Sequence, residues 1–545
     1  MRKVSLLLVL SATALLACET PSGERPDAAS EAARVEREAA AARAKARDGA
    51  VERAREDLEA ALAGVTPAAI ARAPLSESAP TLTHGVASGE VGHDRVVLWA
   101  RASDASTLRF VARPEDSLDY ATAELATTQE RDLTGSARLE GLTPGTPYVY
   151  EVWAEKGGAR GPSVSGRFET APTPEQAASL SFVWSGDLGG QNVCRGVEDG
   201  YPILEVFPER LDFFVALGDM IYADNTCREK GRYARPQLPG LQSKASTLED
   251  YWFAWRYNRG DAGHQRLLAR APYFPIWDDH EVVNDYGPRH NRQDKKPHRT
   301  NQELFPVGFA SFLHYNAYLP AQPDPKRLYR SWRWGKHAEF FALDTRQYRD
   351  ENTRTDSKKD PKTLLGAQQR AWFVDALKNS DATWKFVVSS VPMVTPTGTY
   401  PETNGRDGWA NLGFRTGFER ELVSIMRELA AADVRNQVWL TTDVHFAAIH
   451  RLDPFPKEHP DYQVHELIAG PLSAYLFPNR NVDQTLKPTQ LWFHGPRNGR
   501  DIDGWEAAKH WMNYGAIDVA DDGALSIRYV DAHGDVIHTM ELEPR

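Results

Sequence analysis

A short segment, LDFFVALGDMIYAD from Leu211 to Asp224, constrains this chain more than any other. Phe213 to Leu217 form an unbroken apolar run, rich in aromatic and β-branched residues and closed by Gly218. A run that short reads as a strand covered on both faces, as in a parallel sheet packed between helices. Asp219 and Tyr222 follow the glycine at once, in the place where open α/β sheets hold ligands, beyond the carboxyl end of a strand. A carboxylate and a phenol are oxygen donors for hard cations. A turn aspartate after a strand is common, so the other strands must decide whether Asp219 is more than that.

They repeat the pattern. SFVWSGD, PYFPIWDD, EFFALDTR, WKFVVSS, QVWLTTDVHF and VHELIAG are strand-like runs separated by amphipathic and loop segments, which argues for a layered α/β domain. Four runs end in metal donors: Asp187; Asp219 and Tyr222; Asp278, Asp279 and His280; Asp443 and His445. Burying carboxylates, a phenol and imidazoles together is costly unless cations compensate them. Asp278 and Asp279 are adjacent, and successive side chains at a strand end point opposite ways, so only one is expected to face a shared centre. The tail from Tyr514 has turn signals at Asp521-Asp522-Gly523 and His533-Gly534-Asp535, and reads as hairpins closing a sheet edge.

The chain is 545 residues long, too many for one ordinary domain. Residues 1–17 read as a lipoprotein signal peptide: Arg2 and Lys3, an apolar Leu6–Leu16 core, then Ala17. LLAC ending at Cys18 resembles a lipobox, with Cys18 lipidated, and Glu19 rather than Asp after it favours the outer membrane. Ordinary signal-peptidase cleavage is the rival reading. Residues 18–75 are Ala-, Glu- and Arg-rich without an apolar stripe, which predicts a helical or disordered tether. Residues 76–172 carry alternating strands such as DRVVLWARA, LRFVARP and PYVYEVWAE, and read as a fibronectin- or Ig-like sandwich. Residues 173–545 form the α/β domain. A net charge of -11 argues against a general nucleic-acid binder. It leaves a phosphate substrate open, since bound cations reverse the local field. With export, the two remaining cysteines, Cys194 and Cys227, are candidates for a disulfide between neighbouring site loops, the rival being a thiolate metal ligand.

GDMIYAD, WDDHEVVNDY, ALDTRQYR and TTDVHFAA together resemble the PhoD-type alkaline phosphatases and phosphodiesterases, a branch of the metallophosphoesterases. The opening HGVASGE…VVLWAR resembles the N-terminal sandwich of the same family, so the resemblance runs from about Thr83 to the C-terminus. It implies a four-layer αββα metallophosphoesterase fold, export, and a binuclear or larger centre of Fe3+ and Ca2+. Carried over residue by residue, Asp219 bridges the metals, and Tyr222 and His445 bind iron. Asp279 and Asp443 serve the second site. His280 takes the place of the family's catalytic histidine. Where many relatives have a cysteine, this chain offers Asp187, and an all-oxygen set would also accept Mn2+ or Mg2+.

The expected chemistry is hydrolysis of phosphate esters by a metal-bridging hydroxide, with His280 assisting the leaving group. Glu281 and Asp285 are expected to support His280. Asn284 is a candidate phosphate donor or a loop hydrogen bonder, and Arg346 a brace for the sheet end or a phosphate ligand. A small phosphate ester is the expected partner and a monomer the expected state. The alternatives are a phospholipase D-like lipid diesterase and a catalytically silent metal- or phosphate-binding surface lipoprotein.

Overall fold

The computed structural model describes residues 72–288, 301–320, 324–352, 354–397, 407–410, 415–479 and 481–545. The chain separates into Met1–Ala69, which lies outside the described residues together with the expected signal peptide, Cys18 and nearly all of the tether, and Ile70–Arg545. No helix among the described residues is long and apolar enough to cross a membrane.

The second unit is built on two large sheets. The first has nine strands, in the order Val536–Leu542, Leu525–Asp531, Asn513–Val519, Leu180–Ser185, Phe213–Ala216, Tyr273–Pro275, Leu82–Gly89, Arg95–Ala102 and Thr134–Glu140. Its centre is parallel, Phe213–Ala216 lying between Leu180–Ser185 and Tyr273–Pro275. The second has seven: Arg330–Trp334, Ala338–Ala342, Trp384–Val388, Gln437–Thr441, Val464–Ile468, Ala447–Leu452 and Pro488–His494. The two sheets pack face to face through aromatic side chains. Phe182 meets Phe340 at 5.0 Å between ring centroids, and Phe274 stacks on Trp332 at 4.4 Å.

The continuous apolar runs now have their cause. Phe213 and Val215 face the inter-sheet core, while Phe214 and Ala216 join a second core under the helices. That second core includes Tyr251 and Trp255 of helix Leu248–Arg259 and Phe309 and Phe312 of helix Asn301–Tyr315. On the far side, Phe373 of helix Gly366–Asn379 and Ile425 of helix Glu419–Ala431 cover the second sheet. The layers are therefore helix, sheet, sheet, helix, the αββα arrangement expected. YWFAWRYNRG lies in a packed helix, started by a Thr247–Asp250 capping box.

The N-terminal strands form an all-β region. Ala121–Ala126, Thr107–Pro114, Pro147–Lys156, Ala159–Arg160 and Val164–Glu169 make a smaller sheet that packs against Leu82–Gly89 and Arg95–Ala102. The facing sheet does not stop there: Gly89 pairs in parallel with Tyr273, so it runs on into the sheet that carries the donors. An ionic junction reinforces this continuity. Asp132 accepts from Arg101 at 2.8 Å, from Arg256 at 2.7 Å and from the Tyr315 hydroxyl.

Candidate metal centre

The parallel strands Leu180–Ser185, Phe213–Ala216 and Tyr273–Pro275 and the second-sheet strand Gln437–Thr441 each run straight into a donor loop. Asp187, Asp219, Asp443 and His445 all lie at positive φ, 64°, 53°, 74° and 55°. Non-glycine residues held there cost about 1–3 kcal/mol each, which is typical of ligand clamps. Gly218, at φ 97°, is required for a second reason. A Cβ on it would sit 2.6 Å from the Asp278 backbone nitrogen, so only glycine lets the two loops close.

Three donors converge on one side. The Tyr222 Oη is 3.3 Å from Asp187 Oδ1 and 3.1 Å from His445 Nε2, and the latter two are 3.4 Å apart. The Thr442 hydroxyl donates to the other Asp187 oxygen, and His445 Nδ1 pairs with the Tyr475 carbonyl, which leaves Nε2 facing the centre. Three further sets share Asp279, each with ligand atoms lying within 4.8 Å of one another: Asp219, Asp279 and His280; Asp278, Asp279 and Asp443; and Asp279, Asp285 and Asp407. Asp279 Oδ1 and Asp443 Oδ2 are sequestered from solvent with no hydrogen-bond partner. Burial, compounded by neighbouring carboxylates, drives Asp219 and Asp443 well above the ordinary carboxylate range. Desolvated, mutually repelling carboxylates with idle oxygens are what a hard-cation site presents, so the donor set fits the metals implied. Tyr222 is held in place by close packing: Gly190 abuts its ring, and the His280 ring lies 4.2 Å away.

Asp278 and Asp279 share Arg346 unequally: its Nη2 bonds Asp278 and stands 3.8 Å from Asp279 Oδ1. Asp278 accepts from Arg346 Nε at 2.6 Å, Arg346 Nη2 at 2.9 Å and the Ser390 hydroxyl at 2.6 Å. Burial nonetheless pushes its carboxyl up to about 6, against the pull of Arg346. Arg346 is fully buried and also grips Asp407 at 2.7 and 2.9 Å, with Arg349 adding a bond to Asp407 at 2.9 Å. Arg346 thus braces the site loops.

His280 is supported by a different residue from those expected. Its Nδ1 lies 2.5 Å from Asp224 Oδ1, and Asp224 also accepts the Asn284 backbone N–H at 3.0 Å. Burial alone would strip the proton from His280, but Asp224 and then Asp279 outweigh it and push the imidazole up to about 10. Asp224 itself falls to about 2 despite burial, through His280. The expected supporters do other work. Glu281 accepts the backbone N–H groups of Asp219, Met220 and Asp278 at 2.9, 2.7 and 2.8 Å, tying two donor loops together. Asp285 uses its backbone N–H to bond Asp279. Asn284, half-buried, contributes its backbone to Asp224. The sequence did carry a signal for Asp224, an acidic residue in the same segment as Asp219; Asp407 carried none. Cys194 and Cys227 are joined as a disulfide, with Cα atoms 5.9 Å apart, which removes the thiolate-ligand reading.

The sequence profile of the PhoD-like phosphatases matches residues 183–501, and that of their N-terminal domain matches residues 68–172. The chain belongs to the PhoD-like phosphatase family. It is 27% identical over 406 residues to alkaline phosphatase D of Bacillus subtilis (strain 168), an alignment covering 68% of this chain and 66% of that protein. It therefore matches just under two thirds of that relative's length. Its fold is similar to a solved PhoD structure, with a TM-score of 0.66 at 20% identity, covering 86% of this chain and 94% of the other. It is also similar to the purple acid phosphatase PPD1 from yellow lupin seeds, with a TM-score of 0.56 at 13% identity, covering 85% and 74%.

Proposed function

We propose that this chain is an exported, metal-dependent phosphatase or phosphodiesterase, tethered to the outer membrane through lipidated Cys18. The observation that carries the hydrolytic reading is the pair of idle buried oxygens, Asp279 Oδ1 and Asp443 Oδ2, beside the His280–Asp224 pair. Asp187, Tyr222 and His445 would hold one cation, iron(III) by preference for the phenol. Asp279 and Asp443 would hold a second, calcium by preference, and Asp219 would be shared. Bound there, the cations would supply Lewis acidity toward phosphoryl oxygens and activate water at neutral pH. The remaining work belongs to the protein. Asp224 keeps His280 protonated and fixes its ring through Nδ1, so that Nε2 is the atom left to protonate a departing oxygen. Arg346 bonds Asp278 through two nitrogens and stands 3.8 Å from Asp279 Oδ1 without a hydrogen bond, so that oxygen keeps its lone pairs for a cation. Glu281 locks the spacing of the Asp219 and Asp278 loops through their backbones.

Turnover of p-nitrophenyl phosphate and bis-p-nitrophenyl phosphate by the metal-reconstituted protein tests the reading and sorts monoesterase from diesterase. Metal-loaded protein inert toward both would favour the silent lipoprotein. The tether is tested separately: Cys18→Ser should move the protein out of the membrane fraction, and a wild type already soluble in the periplasm would overturn it.

A further inference from the structure

We propose that Phe477, Tyr475 and Arg232 form a leaving-group subsite beside the candidate metal centre, selecting esters whose departing group is planar and carries its own negative charge. The inference rests on the hydrolytic reading above and names its substrate class. Three contacts lead outward from a candidate metal ligand. The His445 and Phe477 rings lie 4.9 Å apart, those of Phe477 and Tyr475 5.0 Å apart, and the Arg232 guanidinium sits 4.5 Å over the Tyr475 ring. Phe477 and Tyr475 are half-buried and Arg232 is exposed, so the row reaches from the buried centre to solvent.

The row is held by more than surface packing. Arg232 Nε donates to the Gln191 carbonyl at 2.8 Å, which fixes the guanidinium plane against Tyr475. Among the described residues no protein group bonds its two Nη atoms, so the fork that matches a carboxylate or phosphate is left to solvent. The next residue grips the same segment: the Leu476 backbone N–H donates to Tyr233 Oη at 3.1 Å. Tyr233 and Ala234 are consecutive L-residues at positive φ, 55° and 56°, a strained turn of the kind kept at ligand clamps. The loop is stapled at its base by the Cys194–Cys227 disulfide and by buried Arg235, which donates to the Cys194 carbonyl at 3.0 Å and to Asp199 at 2.7 Å. The facing segment is anchored as firmly, with Gly189 and Gly190 both donating to the Ser473 carbonyl. A side chain meant only to be soluble does not need this support. A planar leaving group lying on the aromatic row would meet the free Arg232 fork with a terminal anion.

The test uses metal-loaded full-length protein and two pairs of probes that bracket the reach of the row: 4-carboxyphenyl against phenyl phosphate, and 4′-carboxybiphenyl-4-yl against biphenyl-4-yl phosphate. The readout is the ratio of kcat/KM within each pair, so differences in leaving-group reactivity and any general loss cancel between proteins. Arg232→Ala should lower the charged-to-neutral ratio about tenfold in at least one pair, the size of one lost charge-assisted contact, and Arg232→Lys should restore part of it. Ratios identical in wild type and Arg232→Ala for both pairs would overturn the subsite. The corresponding phosphonates, titrated by calorimetry, separate this from failure of the hydrolytic reading. If no ester is turned over but Arg232→Ala still weakens the carboxylated phosphonate selectively, the subsite stands and the enzyme does not. If binding is also indifferent to Arg232, the subsite falls.

Discussion

The Asp224 carboxylate lies 2.5 Å from His280 Nδ1, and that contact favours the imidazolium over the neutral ring despite burial. Asp224→Asn retains a hydrogen-bond acceptor but removes the charge that favours the imidazolium. Turnover should fall by about 100-fold, the lower range for loss of a general acid, with both metals retained by elemental analysis. The fall should be steeper for alkyl phosphates than for p-nitrophenyl phosphate, whose leaving group needs less protonation. Equal losses on both would place His280 on the phosphate rather than the leaving oxygen.

Arg346 is shared between Asp278 and Asp407, three groups with almost no exposure. Removing one partner of a buried ionic network strands the others, at a cost of about 3–5 kcal/mol. Arg346→Met should therefore lower the denaturation midpoint sharply. Adding Asp278→Asn should recover part of the loss, because Asp278 takes its guanidinium bonds from Arg346, whereas Asp407 keeps Arg349. A double variant no more stable than Arg346→Met would show that Asp278 carries no charge that Arg346 compensates.

Asp212 immediately precedes the strand that positions Asp219, and its carboxylate accepts the Ser181 N–H at 2.6 Å. Burial pushes its carboxyl from 3.8 to about 7. A raised carboxyl binds its proton more tightly in the folded state, so this group's contribution to stability is full below about pH 4 and is lost as pH rises toward 7. The loss amounts to at most about 4 kcal/mol. Asp212→Asn keeps the acceptor and abolishes the titration. It should melt higher than wild type at pH 8 and close to wild type at pH 4.5. A difference independent of pH would assign the effect to packing instead.

The residues legible in the sequence were those whose role depends on local order. SFVWSGD, FFVALGD and VWLTTDVH declare both a buried strand and the donor at its end, because a strand covered on both faces is apolar throughout and its terminus is where polarity returns. What stayed hidden depends on contacts between distant segments. Arg346 and Asp407 are 61 residues apart and meet only because the loops after two strands of the second sheet fold over Asp278. The pairing of Gly89 with Tyr273, which fuses the all-β region to the donor sheet, leaves no local trace. Edge strands such as Arg330–Trp334 and Pro488–His494 mix polar and aromatic residues, since one side faces solvent, and so lack the buried-run signature. Glu281, adjacent to His280 in the sequence, reads locally as its partner. The turn instead aims it at three backbone N–H groups.

Tyr222 offers the sharpest test of the metal. Burial, followed by the negative charge of Asp187 and Asp219, raises its hydroxyl well above the usual phenol range, so without a cation it is neutral at any working pH. A phenolate there requires a strongly polarising ion, and iron(III) bound to phenolate absorbs visible light. Protein reconstituted with iron(III) and calcium should therefore be coloured, and Tyr222→Phe should lose the band while keeping calcium at Asp279 and Asp443. Chelation should remove colour and activity together and lower the melting temperature, since Asp219, Asp279 and Asp443 are then left repelling one another without compensation. The oxygen ligand offered by Asp187 sets the alternative. Full activity with calcium, magnesium or manganese alone, in colourless protein, would mean that the hard oxygen set has moved the first site away from iron. A band that survives in Tyr222→Phe would mean that the phenol is not the ligand.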